Sequence, residues 1–330
     1  MDTWASQIKD HTFLVTGAAG FIGFHVAGAL LAHGARVVGL DNFNDYYSPA
    51  LKQARDRELR RRDRFTSVAG DLADLAGLKA LFAAHRPGKV CHLAAQPGVR
   101  YSLVNPFAYQ KANLEGFLNL LEVAKDSGVE RFVYASSSSV YGGVTELPFT
   151  ESQRVDRPLS LYAATKRAGE LMAHAYTHLF GMPTVGLRYF TVYGPWGRPD
   201  MALWLFADAM LQGRAIKVFN YGDMQRDFTY IDDAVQGTLA ALMADGLEPY
   251  EIINIGNHRP EPLAKVIALL EEALGVPAPK ELLPLQPGDL TSTFADIRRA
   301  RAKLGFHPAT TLEEGIPRFV RWFKEYRSLS

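Results

Sequence analysis

Tyr162 and Lys166 stand four residues apart within Leu161–Phe180, a stretch of helical periodicity, so phenol and ammonium share one helix face. An ammonium beside a phenol favours phenolate and brings its pKa from about 10 toward neutral pH. A phenol tuned in this way can take a proton from a substrate hydroxyl and later return it. The chain holds no other Tyr-x-x-x-Lys. Upstream, four hydroxyls, Ser136, Ser137, Ser138 and Ser139, follow the β-branched and aromatic run Arg131–Ala135. Ser137 is positioned to bridge a substrate oxygen and the phenol, with Ser136, Ser138 and Ser139 as competitors for that role.

A second constellation lies near the N-terminus. Gly17-Ala18-Ala19-Gly20-Phe21-Ile22-Gly23 falls between a strand-like run, Thr12–Thr16, and a helical one, Phe21–His33. Glycines there permit a tight turn and let backbone N–H groups approach a pyrophosphate at a helix N-terminus. The spacing is GxxGxxG, and glycines at such a junction also serve plain helix–strand packing. Asp41 ends the next strand, Arg36–Leu40, where a carboxylate accepts hydrogen bonds from both ribose hydroxyls and repels a 2′-phosphate, favouring NAD over NADP. Asp41 with Asn42 could instead only terminate the strand. Asp71, after the third strand, is placed to contact the adenine.

These groups require a particular scaffold. Strands are expected at Thr12–Thr16, Arg36–Leu40, Phe65–Val68, Val90–Leu93, Arg131–Ala135 and Thr184–Arg188. Helices are expected at Phe21–His33, Asp74–His85, Pro106–Lys125 and Leu161–Phe180. In the third of these, Phe107, Leu114, Phe117, Leu118 and Leu121 form one apolar side. The alternation implies an α/β fold, a Rossmann-type doubly wound parallel sheet with helices on both faces. After Gly194 the rhythm breaks, although pieces around Asp227–Met243 and Glu251–Ile255 could return to the sheet. A last helix is expected at Leu312–Tyr326. The division expected is a nucleotide domain over 1–187 and 231–258 and a smaller mixed α/β substrate-binding cap over 188–230 and 259–330.

Composition narrows the partners. Lys plus Arg number 36 against 35 Asp plus Glu, a net charge of +1, which removes the general attraction a nucleic-acid binder uses. The 48% hydrophobic content argues against disorder. Cys91 is the single cysteine, which excludes an internal disulfide and a cysteine-rich zinc site. No apolar run is long enough for a membrane span, and Met1–Asp10 does not read as a signal peptide, so a cytoplasmic location is expected. The basic run Lys52–Arg64 reads as a solvated helix face. His174 and His178 share a helix face, but no acidic base lies between them and no third ligand is apparent, so no metal is expected.

Together the loop, Asp41, the serines and Tyr162-x-x-x-Lys166 resemble the extended short-chain dehydrogenase/reductase family over essentially the whole chain. Leu93-Ala94-Ala95 and Asn113 are further matches. The resemblance implies NAD held by Gly17, Gly20, Phe21, Ile22, Gly23, Asp41, Asn42, Asp71, Leu72, Leu93, Ala94, Ala95, Asn113, Tyr189, Tyr162 and Lys166. It implies Tyr162 as acid/base, Lys166 also on the nicotinamide ribose, and Ser137 orienting the substrate hydroxyl. Arg226, in Arg226-Asp227-Phe228-Thr229-Tyr230, would hold the diphosphate of a nucleotide sugar.

Within that family, dehydratases resemble one another in an acidic residue after the strand-end Ser/Thr, and this chain has none there. Thr191 stands where UDP-hexose epimerases and decarboxylases usually carry asparagine. Thr191 with Gly194-Pro195-Trp196-Gly197-Arg198-Pro199-Asp200-Met201 is similar to UDP-glucuronate 4-epimerases, as are Tyr47–Lys52 and Gln96–Ser102. The smaller threonine leaves room for a C5 carboxylate, with Arg198 as its charged partner, although Arg198 could equally form a salt bridge on its turn. Gln286 in Gln286-Pro287-Gly288-Asp289 departs from the arginine common in UDP-glucose 4-epimerases and places more weight on Arg226. Ser137, Ser138, Ser139, Thr191, Arg198, Arg226 and Asp289 are the expected substrate contacts. The implied reaction converts UDP-glucuronate to UDP-galacturonate through a transient 4-keto sugar. The alternatives are UDP-glucose 4-epimerase, UDP-glucuronate decarboxylase, or a regulatory protein that binds NAD without turnover. The resemblance also implies a homodimer joined through the helices near 106–125 and 161–180.

Overall fold

A computed structural model describes residues 7–286 and 290–329. The first half runs β1 (Thr12–Thr16), α1 (Phe21–Ala32), β2 (Arg36–Asp41), α2 (Pro49–Arg60), β3 (Phe65–Ala69), α3 (Leu75–His85) and β4 (Lys89–His92). Two single-turn helices follow, α4 (Tyr101–Val104) and α5 (Pro106–Tyr109), then a π-helix (Gln110–Glu115) and α6 (Gly116–Asp126). Next come β5 (Arg131–Ser137), a 3₁₀ turn (Ser138–Tyr141), α7 (Leu161–Phe180) and β6 (Thr184–Tyr189). The remainder is β7 (Thr191–Tyr193), α8 (Ala202–Leu211), β8 (Ile216–Val218), β9 (Gln225–Tyr230), α9 (Ile231–Met243), β10 (Tyr250–Ile255), β11 (Pro260–Pro262), α10 (Leu263–Leu274), β12 (Lys280–Leu282), α11 (Arg298–Leu304) and α12 (Leu312–Leu329).

Seven parallel strands form the main sheet in the order β10-β6-β5-β4-β1-β2-β3. Its strands are apolar on both faces. Phe13, Val15, Val133 and Val185 join one core cluster, while Leu14, Val38, Val90 and Phe132 join the other. A strand buried on both sides must be sandwiched between helices, which is the expected doubly wound arrangement. The chain winds outward from β1 to β3, then returns beside β1 as β4, so a crevice opens at the carboxyl ends of these strands.

Two expectations fail here. The helix expected over 106–125 is broken by the π-helix, whose wider turn shifts the register between α5 and α6. Phe117 and Leu121 consequently face the core while Phe107 is 79% and Leu118 42% exposed. The piece around 227 also does not rejoin the main sheet: β9 pairs with β7 and β11 in a separate three-stranded sheet, and only β10 returns. A two-stranded β12-β8 pair completes the smaller part. His174 and His178 stack on one face of α7, with His174 edge-on to Tyr250.

Candidate active site

The carboxyl ends of β1, β4, β5 and β6 open onto one cleft of about 470 Å³. Gly17, Gly20, Phe21, Ile22, Gly23 and Asp41 line one end. Leu93, Ala94, Ala95, Ser137, Ser138, Ser139, Tyr162, Lys166, Tyr189, Thr191 and Arg198 line the rest.

The glycines make a cradle no other residue could form. Gly17 has φ +69°, and a Cβ on it would meet the Ala94 nitrogen at 2.8 Å; a Cβ on Gly23 would lie 2.0 Å from the Gly17 oxygen. Gly20 caps α1 without a side chain, so the first-turn N–H groups stay open beside Phe21 and Ile22 in the cleft wall. Asp41 accepts from Ala19 N at 3.0 Å and from Phe43 N at 2.9 Å. Its carboxylate thus braces the loop and keeps further lone pairs for a ligand. Burial pushes its pKa up, against the two N–H donors and the field of Lys52.

Lys52 and Arg55 correct the expected solvated helix. Both face inward from α2 and are buried. Lys52 Nζ donates to the Asn44 carbonyl and side chain at 2.7 and 2.6 Å. Arg55 donates to the carbonyls of Ala19 at 2.9 Å and Trp196 at 2.6 Å. Cations can turn inward here because backbone oxygens receive them. The later arginines of the run keep the expected exposure, with Arg60 paired to Asp56 and Arg61 to Glu58.

Ser160 caps α7 by accepting from Ala163 N at 3.1 Å, which fixes Tyr162 in the first turn at the cleft. Lys166 lies one turn on, with Nζ donating to Ala135 O at 2.8 Å and standing 5.9 Å from the Tyr162 ring centre. Burial, with a smaller push from the Arg198 charge, lowers the lysine pKa to about 8. The phenol does not follow the expected direction: burial raises its pKa, and the counteracting influences are a Ser137 hydrogen bond and the Arg198 charge, not Lys166. Burial thus favours the neutral phenol of Tyr162.

The four serines divide by partner. Ser136 also lines the cleft, but it is buried and its Oγ donates to Glu170 Oε1 at 2.6 Å, so its proton is already committed. Ser137 Oγ accepts from Ser139 N at 3.2 Å and lies 3.1 Å from Ser139 Oγ. Glu170 also takes Arg188 through two bonds of 2.8 Å, an ion pair buried beneath β5 and β6. Neither Glu170 nor Arg188 stands out in the sequence as part of the site. The available signal was Glu170, four residues after Lys166 and thus on the same helix face.

Arg198 forms both features at once. Its Nε and Nη2 pair with Asp200 at 3.0 and 2.6 Å, and its side chain remains in the cleft wall. Tyr46, also missed, donates to Asp200 at 3.0 Å and lines the same wall. Gly98, with φ +98°, lets Tyr46 approach: a Cβ there would sit 2.7 Å from the phenol oxygen.

Several expected contacts lie outside the cleft lining. Asn42 reaches Asp71 at 3.4 Å at the ends of neighbouring strands. Leu72 is buried, and its carbonyl accepts from Asn119 at 3.1 Å. Asn113, on the π-helix, ties Gln96 N at 2.8 Å to Thr165 Oγ1 at 3.0 Å, and so supports the 93–96 loop from behind. Tyr189 does line the cleft, but its phenol turns away to Thr238 Oγ1 at 2.7 Å. Arg226 lies on β9 with Nη1 on the Gln225 and Thr291 carbonyls at 2.9 and 3.2 Å. Asp289 lies outside the described residues. Among the described residues, no group of three or more His, Cys, Asp or Glu gathers in metal-binding distance, and no helix is long and apolar enough to cross a membrane.

The sequence matches the model of the NAD dependent epimerase/dehydratase family over residues 13–256. The chain belongs to that family. UDP-glucuronate 4-epimerase 4 of Arabidopsis thaliana is 48% identical over 333 residues, covering 96% of this chain and 76% of the relative. A probable UDP-glucuronate 4-epimerase of Rhizobium meliloti is 44% identical, covering 95% of this chain and 97% of the relative. The crystal structure of UDP-glucuronic acid 4-epimerase from Bacillus cereus, in complex with UDP-glucuronic acid and NAD, superposes with a TM-score of 0.89 at 38% identity, covering 96% of this chain and 99% of that one. The glycine cradle, the open α1 terminus and Asp41 of this epimerase/dehydratase-family chain fit the dinucleotide for which the family is named.

Proposed function

We propose that this protein interconverts UDP-glucuronate and UDP-galacturonate by epimerising C4, with NAD held in the cleft. The observation that carries the reading is the placement of Arg198 and Thr191 in the wall that also holds Tyr162 and Ser137 to Ser139. A guanidinium beside an acid/base phenol is what a sugar carboxylate near C4 requires, and Asp200 on Nε and Nη2 orients it. The high identity to named UDP-glucuronate 4-epimerases supports the same substrate. The main sheet would form the nucleotide domain over 1–187 and 231–258, and 188–230 with 259–330 the cap.

Gly17, Gly20, Gly23 and the first α1 amides would hold the cofactor diphosphate, Asp41 the ribose hydroxyls, and Lys166 the nicotinamide ribose. The chemistry the cofactor supplies when bound is reversible oxidation at C4, together with a positive charge that favours phenolate. Tyr162 then takes the proton from the 4-hydroxyl and returns it to the oxygen once the sugar has presented its other face. Ser137 hydrogen-bonds both the phenol and the sugar oxygen, which keeps the proton path short. Arg198 lowers the cost of the phenolate. The 4-keto uronate is a β-keto acid, which loses CO₂ when its carboxylate bond aligns with the carbonyl π system. Thr191, Arg198 and a cleft serine hold the carboxylate out of that alignment.

A homodimer fits the exposed apolar surface of the α4, α5 and α7 region, where Val104, Phe107 and Leu179 are each more than two-thirds exposed. A cytoplasmic location suits the buried, unpaired Cys91. Incubation of purified protein with UDP-glucuronate, followed by NMR, tests the function. UDP-galacturonate is the expected product. Conversion of UDP-glucose alone, or release of CO₂, contradicts the reading.

A further inference from the structure

Arg55 is a fully buried guanidinium, and among the described residues no carboxylate lies within ion-pair distance of it. Its Nε is buried with no hydrogen-bond partner. Such a group costs stability, and an apolar side chain of similar volume would ordinarily be cheaper. Its contacts explain what it does instead. Nη1 donates to Ala19 O at 2.9 Å and to the Tyr47 phenol at 2.8 Å. Nη2 donates to Trp196 O at 2.6 Å and to Gly197 O at 3.1 Å.

The two nitrogens therefore grip two different structures. Ala19 O belongs to the peptide whose N–H, on Gly20, closes the glycine loop onto Gly17 O at 2.8 Å. Trp196 and Gly197 immediately precede Arg198. Trp196 has φ +59°, a left-handed conformation a tryptophan keeps only when its surroundings impose it. Its indole packs on Phe24 of α1 and on Trp322 and Tyr326 of α12. The neighbouring Pro195 carbonyl is held by His25 Nε2 at 2.9 Å. Packing thus fixes one side of the turn, and Arg55 fixes the side that leads to Arg198.

We infer that Arg55 is a positioning residue that ties the cofactor loop to the substrate-binding turn, so that a correctly shaped glycine loop places Arg198 beside Tyr162. The inference rests on the proposed function for the role of Arg198. Lysine cannot substitute, because one ammonium replaces two nitrogens held apart by a rigid plane. When Arg198 is displaced, its charge retreats from Tyr162, whose phenol then becomes harder to ionise.

The test uses holoenzyme of wild type, Arg55→Lys, Arg55→Gln and the exposed-helix control Arg57→Gln. Arg55→Lys should raise KM for UDP-glucuronate about tenfold and move the acidic limb of the kcat profile to higher pH, with the control unchanged. In an Arg198→Ala background the same Arg55→Lys change should cost little more, because both act through one group. Additive effects, or a folded Arg55→Lys protein with wild-type KM and pH profile, would overturn the inference. Acrylamide quenching of tryptophan fluorescence in substrate-free holoenzyme provides a readout apart from turnover. Easier quenching is expected in Arg55→Lys and Arg55→Gln, and unchanged quenching in both would overturn the clamp. Wild-type protein that leaves UDP-glucuronate unconverted contradicts the proposed function instead, and the quenching result then decides the role of Arg55.

Discussion

The Lys166 ammonium donates to the Ala135 carbonyl at 2.8 Å, two residues before Ser137 on the same strand. One strand end thereby anchors the lysine and presents the serine, which fixes their spacing to Tyr162 without any loop. That burial holds the Lys166 pKa at about 8, below its ordinary 10.5. A lysine with a depressed folded-state pKa opposes folding most fully below pH 8, and the penalty fades as pH rises toward 10.5. Lys166→Met should therefore abolish most turnover yet melt at a higher temperature than wild type at pH 7. The difference in Tm should shrink between pH 8 and 10.5, as followed by circular dichroism. A constant difference across that range would show that the ammonium is not destabilised by burial.

Freeing the C5 carboxylate should change the by-products. A Thr191→Ala, Arg198→Ala double variant should lose some restraint on the 4-keto acid and release CO₂ with a UDP-pentose. Product analysis by NMR checks this. A variant that still turns over and forms no additional pentose removes Thr191 and Arg198 from the role.

Glu170 and Arg188 form a buried ion pair behind the strand ends that carry Ser136 and Tyr189. Glu170 also accepts from Ser136, so replacing it by leucine leaves a buried guanidinium and a hydroxyl without their acceptor. Glu170→Leu should cost about 3–5 kcal/mol in denaturant unfolding. A loss below 1 kcal/mol would mean that Arg188 finds another partner. Surviving folded protein should retain Tyr162 chemistry, since Glu170 does not line the cleft.

The apolar surface supplies a prediction about assembly. Phe107→Glu with Leu179→Glu places charges on two strongly exposed positions of the α5 and α7 region. Sedimentation velocity should show a dimer for wild type and a monomer for the variant. A monomeric wild type contradicts the proposed assembly.

What the sequence revealed, and what it withheld, follows from the range of the forces involved. β1, α7 and the glycine loop are local: apolar runs, a Ser160 cap and a turn only glycine can make. Tyr162 and Lys166 share a face because four residues make roughly one helical turn. The π-helix carrying Asn113 ends at Gly116, where a Cβ would lie 2.7 Å from Leu72 Cβ, and periodicity registers neither feature. The inward turn of Arg55 needs the Trp196 and Gly197 carbonyls, brought near only by the finished fold. The raised phenol pKa has the same origin, because burial is a property of the assembled site and not of a four-residue spacing.

In the proposed reaction hydride leaves C4 and returns to the same carbon, so an isotope placed there reports on the step. UDP-glucuronate carrying deuterium at C4, incubated with the holoenzyme in ordinary water, should yield UDP-galacturonate that keeps its deuterium at C4. Loss of the label to solvent, or inversion at another carbon, would contradict transient oxidation at C4.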